Sequence, residues 1–461
     1  MVDIKPKREL WEPLISIQDR IEAGKRQRVN VPRAAHAELS FSNGRPDPIS
    51  LLIASNHDRV EELLPIRYGR MMHSPFAFMR GSAIVMASDL SHTPNSGIEV
   101  QCCGDCHLMN FGVYATPERN LVFDINDFDE TLPAPWEWDL KRLASSFVVA
   151  GRYRGFSDKE CRKAVLALCR TYRDKMKKYS GMRILEIWYS RLDEDSLRAA
   201  FKEDKMQMKR MNAIAEKARR KTHEIVFPKL SEIKDGKRVI KDEPPLIYHL
   251  RDTEERIKSA HKFFARYRST LSDDMRSLFD RYQLMDVAVK VVGVGSVGTR
   301  CLIALFMGGE DDALFLQFKE ARKSVLEPYS LKSVYANDGE RIVNGQKLLQ
   351  AVSDIFLGWT KGPGDREYYV RQLQDMKGST TIESHYPAIL INYALICGWT
   401  LAKSHAKSGG APEITGYIGK SDELPEAIAD FALAYADLTE KDYDALKMAE
   451  KNGLIEATKE F

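Results

Sequence analysis

The chain has 461 residues, of which 44% are hydrophobic and 29% charged, with a formal net charge of +3. That is the composition of an ordinary globular protein, long enough for about two to three domain-sized units. So small a charge gives no ground for nucleic-acid or anionic-membrane partners, and no run approaches the roughly 20 apolar residues of a membrane span.

The segment through Arg33 has neither an apolar export core nor a small-residue cleavage site, so a cytoplasmic location is expected. Residues 1–60 read as a helical lead-in with a solvated basic patch, Lys25-Arg26-Gln27-Arg28. From Phe76 to Met86 the apolar spacing predicts a helix, with Arg67, Arg70 and Arg80 punctuating the stretch. "GIEVQCCGD" predicts a short strand entering a loop, "NLVFDINDF" a second strand, and "ATPERN" a hairpin turn before it. A helix is expected from Asp139 to Ala150, and Ser157-Asp158-Lys159-Glu160 is a capping box before another through Lys178. Residues 202–223 and 253–282 read as amphipathic helices, the basic run of the first as an exposed face, and 228–248 as a loop or hairpin insertion. At Asp286 the pattern changes to strand, glycine-rich turn, strand, tight turn and strand. A helix over 340–357, the strand "REYYVRQL" and a helical C-terminus from Ile389 follow.

The stretch "CCGDCHLMNFG" (102–112) admits several chemistries. Cys103-x-x-Cys106-His107 has the spacing of covalent haem attachment, but nothing exports this chain. A structural zinc site wants a second ligand pair, and Cys161, Cys169, Cys301 and Cys397 supply no second C-x-x-C. Asp105 between the thiols disfavours the thiolate a redox site needs. Seven cysteines, an odd number, suggest no disulfide framework. What remains is Asp105, His107 and Asn110 on a loop, with the cysteines as small buried hydrophobes.

Gly293-x-Gly295-x-x-Gly298 follows a predicted strand. It suits either a dinucleotide-binding turn opening a helix or a hairpin bent over phosphates, with a lysine on a later strand. Gly308-Gly309 comes only ten residues after Gly298, which leaves little room for a crossover helix and favours the hairpin. The later strand, "ALFLQFKEA", carries Lys319 where a phosphate-binding lysine belongs; the plainer reading is an edge-strand charge. Asp127, seventeen residues past Asn110, completes a set able to accept a proton and hold Mg²⁺ with hard oxygen ligands. Asp124 is the rival for the metal, and Asp129 and Glu130 either contribute or are solvated.

Gly104-Asp105-x-His107-x-x-Asn110, then Asp127-Phe128, then Asp139-Leu140, resembles the signature of aminoglycoside phosphotransferases and choline kinases, small-molecule relatives of protein kinases. The resemblance implies Asp105 as catalytic base with His107 orienting the loop, Asn110 and Asp127 as magnesium ligands, and Asp139 as structural anchor. Gly293, Gly295, Ser296, Gly298 and Lys319 would hold ATP. Cys103 stands where such enzymes commonly carry histidine, and the glycine loop follows the catalytic loop instead of preceding it.

The implied fold is therefore α+β and kinase-like, two-lobed and circularly permuted. A helix-rich lobe (1–283, completed by 379–461) would join a small antiparallel-sheet lobe (284–378) through "DMKGS". "ICGWTLAKSHA" would be the helix leading into the catalytic loop. Glu340 and Glu327 are candidates to pair with Lys319. The wider text, "SPFAFMRG", "FDINDFDETLPAPWEWDLKRLA" and "CGWTLAKSHAKSGG", also resembles an uncharacterised bacterial family catalogued as a domain of unknown function.

The leading expectation is an ATP- and Mg²⁺-dependent phosphotransferase acting on the hydroxyl of a small molecule, with Arg67, Arg70 and Arg80 as candidates for an anionic substrate. Alternatives are a nucleotide-binding regulator without turnover, nucleotidyl transfer to a protein on the same scaffold, and a dinucleotide-dependent oxidoreductase.

Overall fold

The computed structural model describes residues 14–41, 44–202, 204–220, 223–250, 254–309, 312–373, 376–378 and 381–458. The protein is α+β; its described strands form one six-stranded antiparallel sheet and three two-stranded ladders. Glu310 and Asp311 of the predicted tight turn, and parts of the "DMKGS" segment, lie outside the described residues.

In the large sheet Gln283–Lys290, Cys301–Met307 and Ala313–Ala321 lie side by side in chain order. Glu367–Gln372 pairs with the far side of Ala313–Ala321, Gly358–Lys361 borders that, and Ile247–Tyr248 closes the opposite edge. Side-chain alternation sorts Ala313–Ala321 between two faces. Leu314, Leu316 and Phe318 pack with Phe263, Tyr267 and Phe279 from the helices Glu254–Ser269 and Asp273–Phe279. Lys319 points the other way beside its cross-strand partner Tyr369, on the side where Ile342 and Val343 of the helix Asp338–Leu349 pack. The strand is paired on both flanks and Lys319 is 3% exposed, so it is a central-strand lysine and not an edge charge.

The glycine-rich segment joins two antiparallel neighbours in register Val289↔Leu302, which is the hairpin and not the strand–helix turn of a dinucleotide fold. The 228–248 insertion is a hairpin, Ser231–Lys234 with Lys237–Ile240, turned at Asp235-Gly236 where both φ angles are positive.

The helical part is organised around Trp136–Tyr153, where every residue from Trp136 to Gly151 is buried. The helices Asp158–Ser180, Pro387–Lys407 and Glu423–Lys451 surround it. The capping box forms as expected: Ser157 Oγ accepts from Glu160 N, and the Glu160 carboxylate accepts from Ser157 N.

Three expected helices differ. Residues 76–86 are two helices, Pro75–Gly81 and Ala83–Leu90. Met71 presses so close to Gly81 that a Cβ there would lie 2.6 Å from its Cγ, and the chain turns at Ser82. Residues 253–282 break between Ser269 and Asp273. The 340–357 helix is Asp338–Leu349; it stops where Gln350 becomes extended and donates its side-chain amide to Ile125 O at 2.7 Å. Among the described residues no helix is long and apolar enough to cross a membrane.

Candidate functional site

Strand Glu99–Cys102 pairs with Leu132–Pro135 and delivers the chain to Gly104. Gly104 has φ +87°, and a Cβ there would stand 2.2 Å from Glu130 O, so the turn needs glycine. The amides of Cys103 and Gly104 donate to the Asp139 carboxylate at 2.8 and 3.0 Å. Asp139 also meets His405 Nε2 at 3.2 Å, and His405 Nδ1 meets Tyr172 Oη at 2.8 Å. Asp139 thus ties the loop to the helices Trp136–Tyr153 and Pro387–Lys407, an anchor's position.

Asp105 follows the turn with its side chain 24% exposed. Arg142 Nε donates to its Oδ1 at 2.7 Å, and the same guanidinium donates to Met79 O at 2.9 Å. Asn110 Nδ2 donates to Asp105 O at 2.7 Å, which fixes the loop and leaves Asn110 Oδ1 as the free end of that amide. Asn126 N donates to Asn110 O at 2.7 Å, clamping the loop to the acid-bearing segment. His107 is buried with its Nε2 3.9 Å from Asp105 Oδ2. Burial, with Arg80 and Arg142 nearby, holds its pKa well below the usual imidazole range, so it is a neutral packing and orienting group.

The acids of "DINDFDE" go to different places. Asp124 is fully buried, ion-paired to Lys403 and bonded to Ala351 N at 2.8 Å; it lies off the cleft and is no metal ligand. Asp129 accepts from Lys319 Nζ in a short ion pair and from Tyr369 Oη at 2.8 Å. Burial opposes its ionisation, but Lys319 and Tyr369 outweigh burial and hold its pKa below the usual range. Asp127 lies 3.8 Å from Lys319 Nζ and its Oδ1, a buried atom, has no hydrogen-bond partner. Burial and then the charge of Asp129 push the Asp127 pKa up. Burial likewise raises Glu130 to about 7, although its Oε2 accepts from Val325 N at 2.7 Å. Neither Glu340 nor Glu327 is an ion-pair partner of Lys319; the acid loop supplies both.

The glycine loop reaches the same cleft. Gly293 and Gly298 have φ of +71° and +86°. A Cβ at Gly295 would sit 3.1 Å from Arg80 O, so the loop lies directly on the helix Pro75–Gly81. Arg70 donates to Gly293 O at 2.6 Å, and Val60 N to Gly298 O at 2.8 Å.

One cavity of about 780 Å³ joins these parts: Asp105, His107, Asn110 and Asp127 line one wall, and Gly293, Gly295 and Ser296 another. Gly298 shapes the loop from outside the cavity, and Lys319 stands behind Asp127 and Asp129, reaching the cleft through them. Arg80 and Arg67 also face it, but Arg67 is 1% exposed and committed to Asn56 Oδ1 at 2.6 Å and Ser55 Oγ at 3.1 Å. Arg70 braces the glycine loop and is not on the cavity, so Arg67 and Arg70 are framework and Arg80 alone of the three is free for a ligand.

The donor set fits magnesium: Asn110 Oδ1 and the orphaned Asp127 Oδ1 are hard oxygen ligands. The thiols do not compete. Cys102, Cys103 and Cys106 crowd Asp139 and His405, but they are fully buried, and burial pushes Cys106 up to about 12 and raises the other two well above the ordinary thiol value. All seven cysteines are free and buried.

Sequence reasoning missed three groups. Arg142, one turn after Asp139, holds Asp105. Arg341 donates to Thr131 O, Asp129 O and Arg322 O at 2.6, 3.0 and 2.7 Å, setting the acid loop against the helix Asp338–Leu349. Tyr369, opposite Lys319, completes the shell of Asp129. Only Arg142 carried a signal, the i+3 spacing from Asp139.

Comparison with curated proteins and with solved structures finds no match. Residues 59–449 match the family described as an uncharacterized protein conserved in bacteria (DUF2252), and the chain belongs to that family.

Proposed function

We propose that this protein is an ATP- and Mg²⁺-dependent phosphotransferase on a circularly permuted, two-lobed kinase-like scaffold, acting on the hydroxyl of a small molecule. One observation carries the reading: a glycine-rich hairpin and an acid set with an unsatisfied buried oxygen, backed by a central-strand lysine, close on a single cavity. These are the recurring parts of a phosphoryl-transfer site, where the protein positions groups and neutralises charge.

The order of parts supports the permutation. Glycine hairpin, lysine strand and packed helix run consecutively over residues 283–349, as the nucleotide-binding lobe of a kinase requires. The helix Pro387–Lys407 then ends beside the catalytic-loop strand, where Gly410 lies against Val100 and His405 meets Asp139. The junction missing from the chain is therefore short in space. Residues 284–378 would form the sheet lobe, with 1–283 and 379–461 together making the helical one.

In the proposed reaction the acceptor hydroxyl attacks the γ-phosphorus and the bond to the β,γ-bridging oxygen breaks. ADP leaves, and the hydroxyl proton passes to the Asp105 carboxylate and then to solvent. Asn110 and Asp127 would hold Mg²⁺, which supplies charge neutralisation for the phosphates when bound. Arg142 keeps Asp105 aimed; Lys319, held by Asp129 behind the cavity wall, would add its positive charge to the phosphate end of the cleft.

Asp105→Asn is expected to abolish ADP release in the presence of acceptor while nucleotide affinity stays within about threefold, since a proton acceptor is lost but no binding group. Turnover surviving that change would remove Asp105 from its role. Arg142 also favours a second reading, a nucleotide binder without turnover, because an Asp105 oxygen already accepts from its guanidinium and is not free to face an acceptor hydroxyl. Nucleotide binding without ADP release in the wild type, across a panel of acceptors, is its signature.

A further inference from the structure

The cleft carries guanidinium charge that the nucleotide reading does not use. Arg59, Arg80 and Arg322 line it, and among the described residues none of them forms an ion pair. Arg59 donates to the carbonyls of Ser55, at 3.1 Å, and of Val297. Arg322 donates to the carbonyls of Ser55, at 3.3 Å, and of His57. Carbonyl oxygens satisfy the donors without cancelling their charge. Arg80 goes further: it makes no hydrogen bond to any described residue, and its Nε is buried. Burial lowers the pKa of Arg59 to about 8, and Arg67 and Arg322 add to the effect, so the group is charge-crowded.

Most acids facing this wall have cationic partners of their own; Glu130, which acts on Arg59, forms no ion pair among the described residues and accepts from Val325 N at 2.7 Å. Asp105 is held by Arg142, Asp129 by Lys319, and Glu320 by Arg300 and Arg366 at 3.4 Å each. Asp127 faces Arg80 from beyond ion-pair distance, and the proposed function assigns its free oxygen to magnesium. Lys319, the glycine loop and the magnesium site already provide for the nucleotide phosphates. Arg80 is near enough to Asp105 to feel its charge, while Arg59 packs against Gly298 and shares the Ser55 carbonyl with Arg322.

We infer that the acceptor is an anion, a small molecule bearing a phosphoryl or carboxylate group, held by Arg80 together with Arg59 and Arg322 while its hydroxyl faces Asp105. The inference rests on the phosphotransferase reading for the word acceptor, but the anion site itself stands on the arginines. A half-buried guanidinium with no ion pair and a buried, unpartnered Nε has donors to fill, and a bidentate oxyanion is the partner its geometry suits. A cationic acceptor would meet like charge at Arg80, and a neutral one would leave its charge uncancelled.

The test is calorimetric titration of inorganic phosphate into the full chain, alone and saturated with magnesium and a non-hydrolysable ATP analogue. Wild type, Arg80→Gln, Arg80→Lys and Arg322→Gln are compared. Phosphate is expected to bind alongside the analogue. Arg80→Gln should weaken it by about tenfold or more, as for loss of a charge-assisted contact, with Arg80→Lys weakened less and analogue affinity kept within about threefold. Arg80 makes no internal bond, so its removal should leave the fold intact; Arg322→Gln gives an independent second reading of the same loss.

Phosphate affinity indifferent to both substitutions overturns the inference. So does competition between phosphate and the analogue, which would assign the arginines to the nucleotide's own phosphates. Failure of the analogue to bind wild type would instead overturn the phosphotransferase reading. The phosphate arm without nucleotide would then decide the anion site alone, upheld if binding depends on Arg80 and overturned if it does not.

Discussion

Two lysine–aspartate pairs, whose acids come from one seven-residue stretch, behave in opposite ways. Lys403 and Asp124 are both fully buried; the Asp124 oxygen that meets Lys403 also accepts from Ala351 N, and the other accepts from Ile125 N. Both oxygens of the acid are taken from within the chain. Lys319 pairs with Asp129 on a cleft wall, the acid 27% exposed, and beside it Asp127 keeps a buried oxygen with no partner. A complete shell holds the helix Pro387–Lys407 to the strand Leu121–Ile125; an incomplete one, at the edge of a cavity, has room for a ligand. The contrast separates a structural pair from a functional one better than residue type does, because buried polar groups are normally satisfied.

Breaking the sealed pair should have the largest effect. Lys403→Met leaves the Asp124 charge alone in the core and is expected to cost about 3–5 kcal/mol, read as a lower urea midpoint with unchanged slope. A cost below about 1 kcal/mol would show that the pair is not sealed.

A smaller effect is expected at Glu130. Burial raises its pKa from 4.5 to about 7, so the native state binds the extra proton. Stability on this account is highest below the unfolded value and falls as pH rises towards about 7. Glu130→Gln should remove that slope and leave the protein more stable at pH 8 by about 1 kcal/mol, the full shift being discounted for solvent in the cleft. Thermal melts between pH 4 and pH 8 measure it, and an unchanged slope in the variant would contradict the assignment.

How much of this was legible beforehand follows the range of the physics. Local rules worked: the Ser157 capping box and the hairpin at Gly293–Gly298 each depend on neighbouring residues or fixed spacing, whereas the place of Asp139 was expected from the resemblance alone. The α+β class was legible too, from the change of pattern at Asp286. Choosing among Asp124, Asp127 and Asp129 was not settled by spacing alone, because the choice is made by Lys403 and Lys319, distant in the chain. Arg341, which pins the acid loop through three carbonyls, is likewise invisible in "DGERIV". The helix break at Ser82 comes from Met71 pressing on Gly81, a tertiary contact that overrides helical spacing. The edge strand Gly358–Lys361 and the pairing of Glu99–Cys102 with Leu132–Pro135 went unseen for the same reason.

The smallest change in the free protein is expected at Asp127, whose oxygen makes no hydrogen bond and meets Lys319 only at 3.8 Å. Asp127→Asn should alter unliganded stability by less than about 1 kcal/mol. The same variant gives the most direct test of the central claim, the thermal stability of wild type and Asp127→Asn with and without magnesium and ATP, with NAD(H) as control. Wild type should gain about 2.7 kcal/mol at a hundredfold excess over Kd, only when magnesium is present, and Asp127→Asn should lose that gain. Stabilisation by NAD(H) alone, or an ATP effect that persists without magnesium and in Asp127→Asn, would contradict the account.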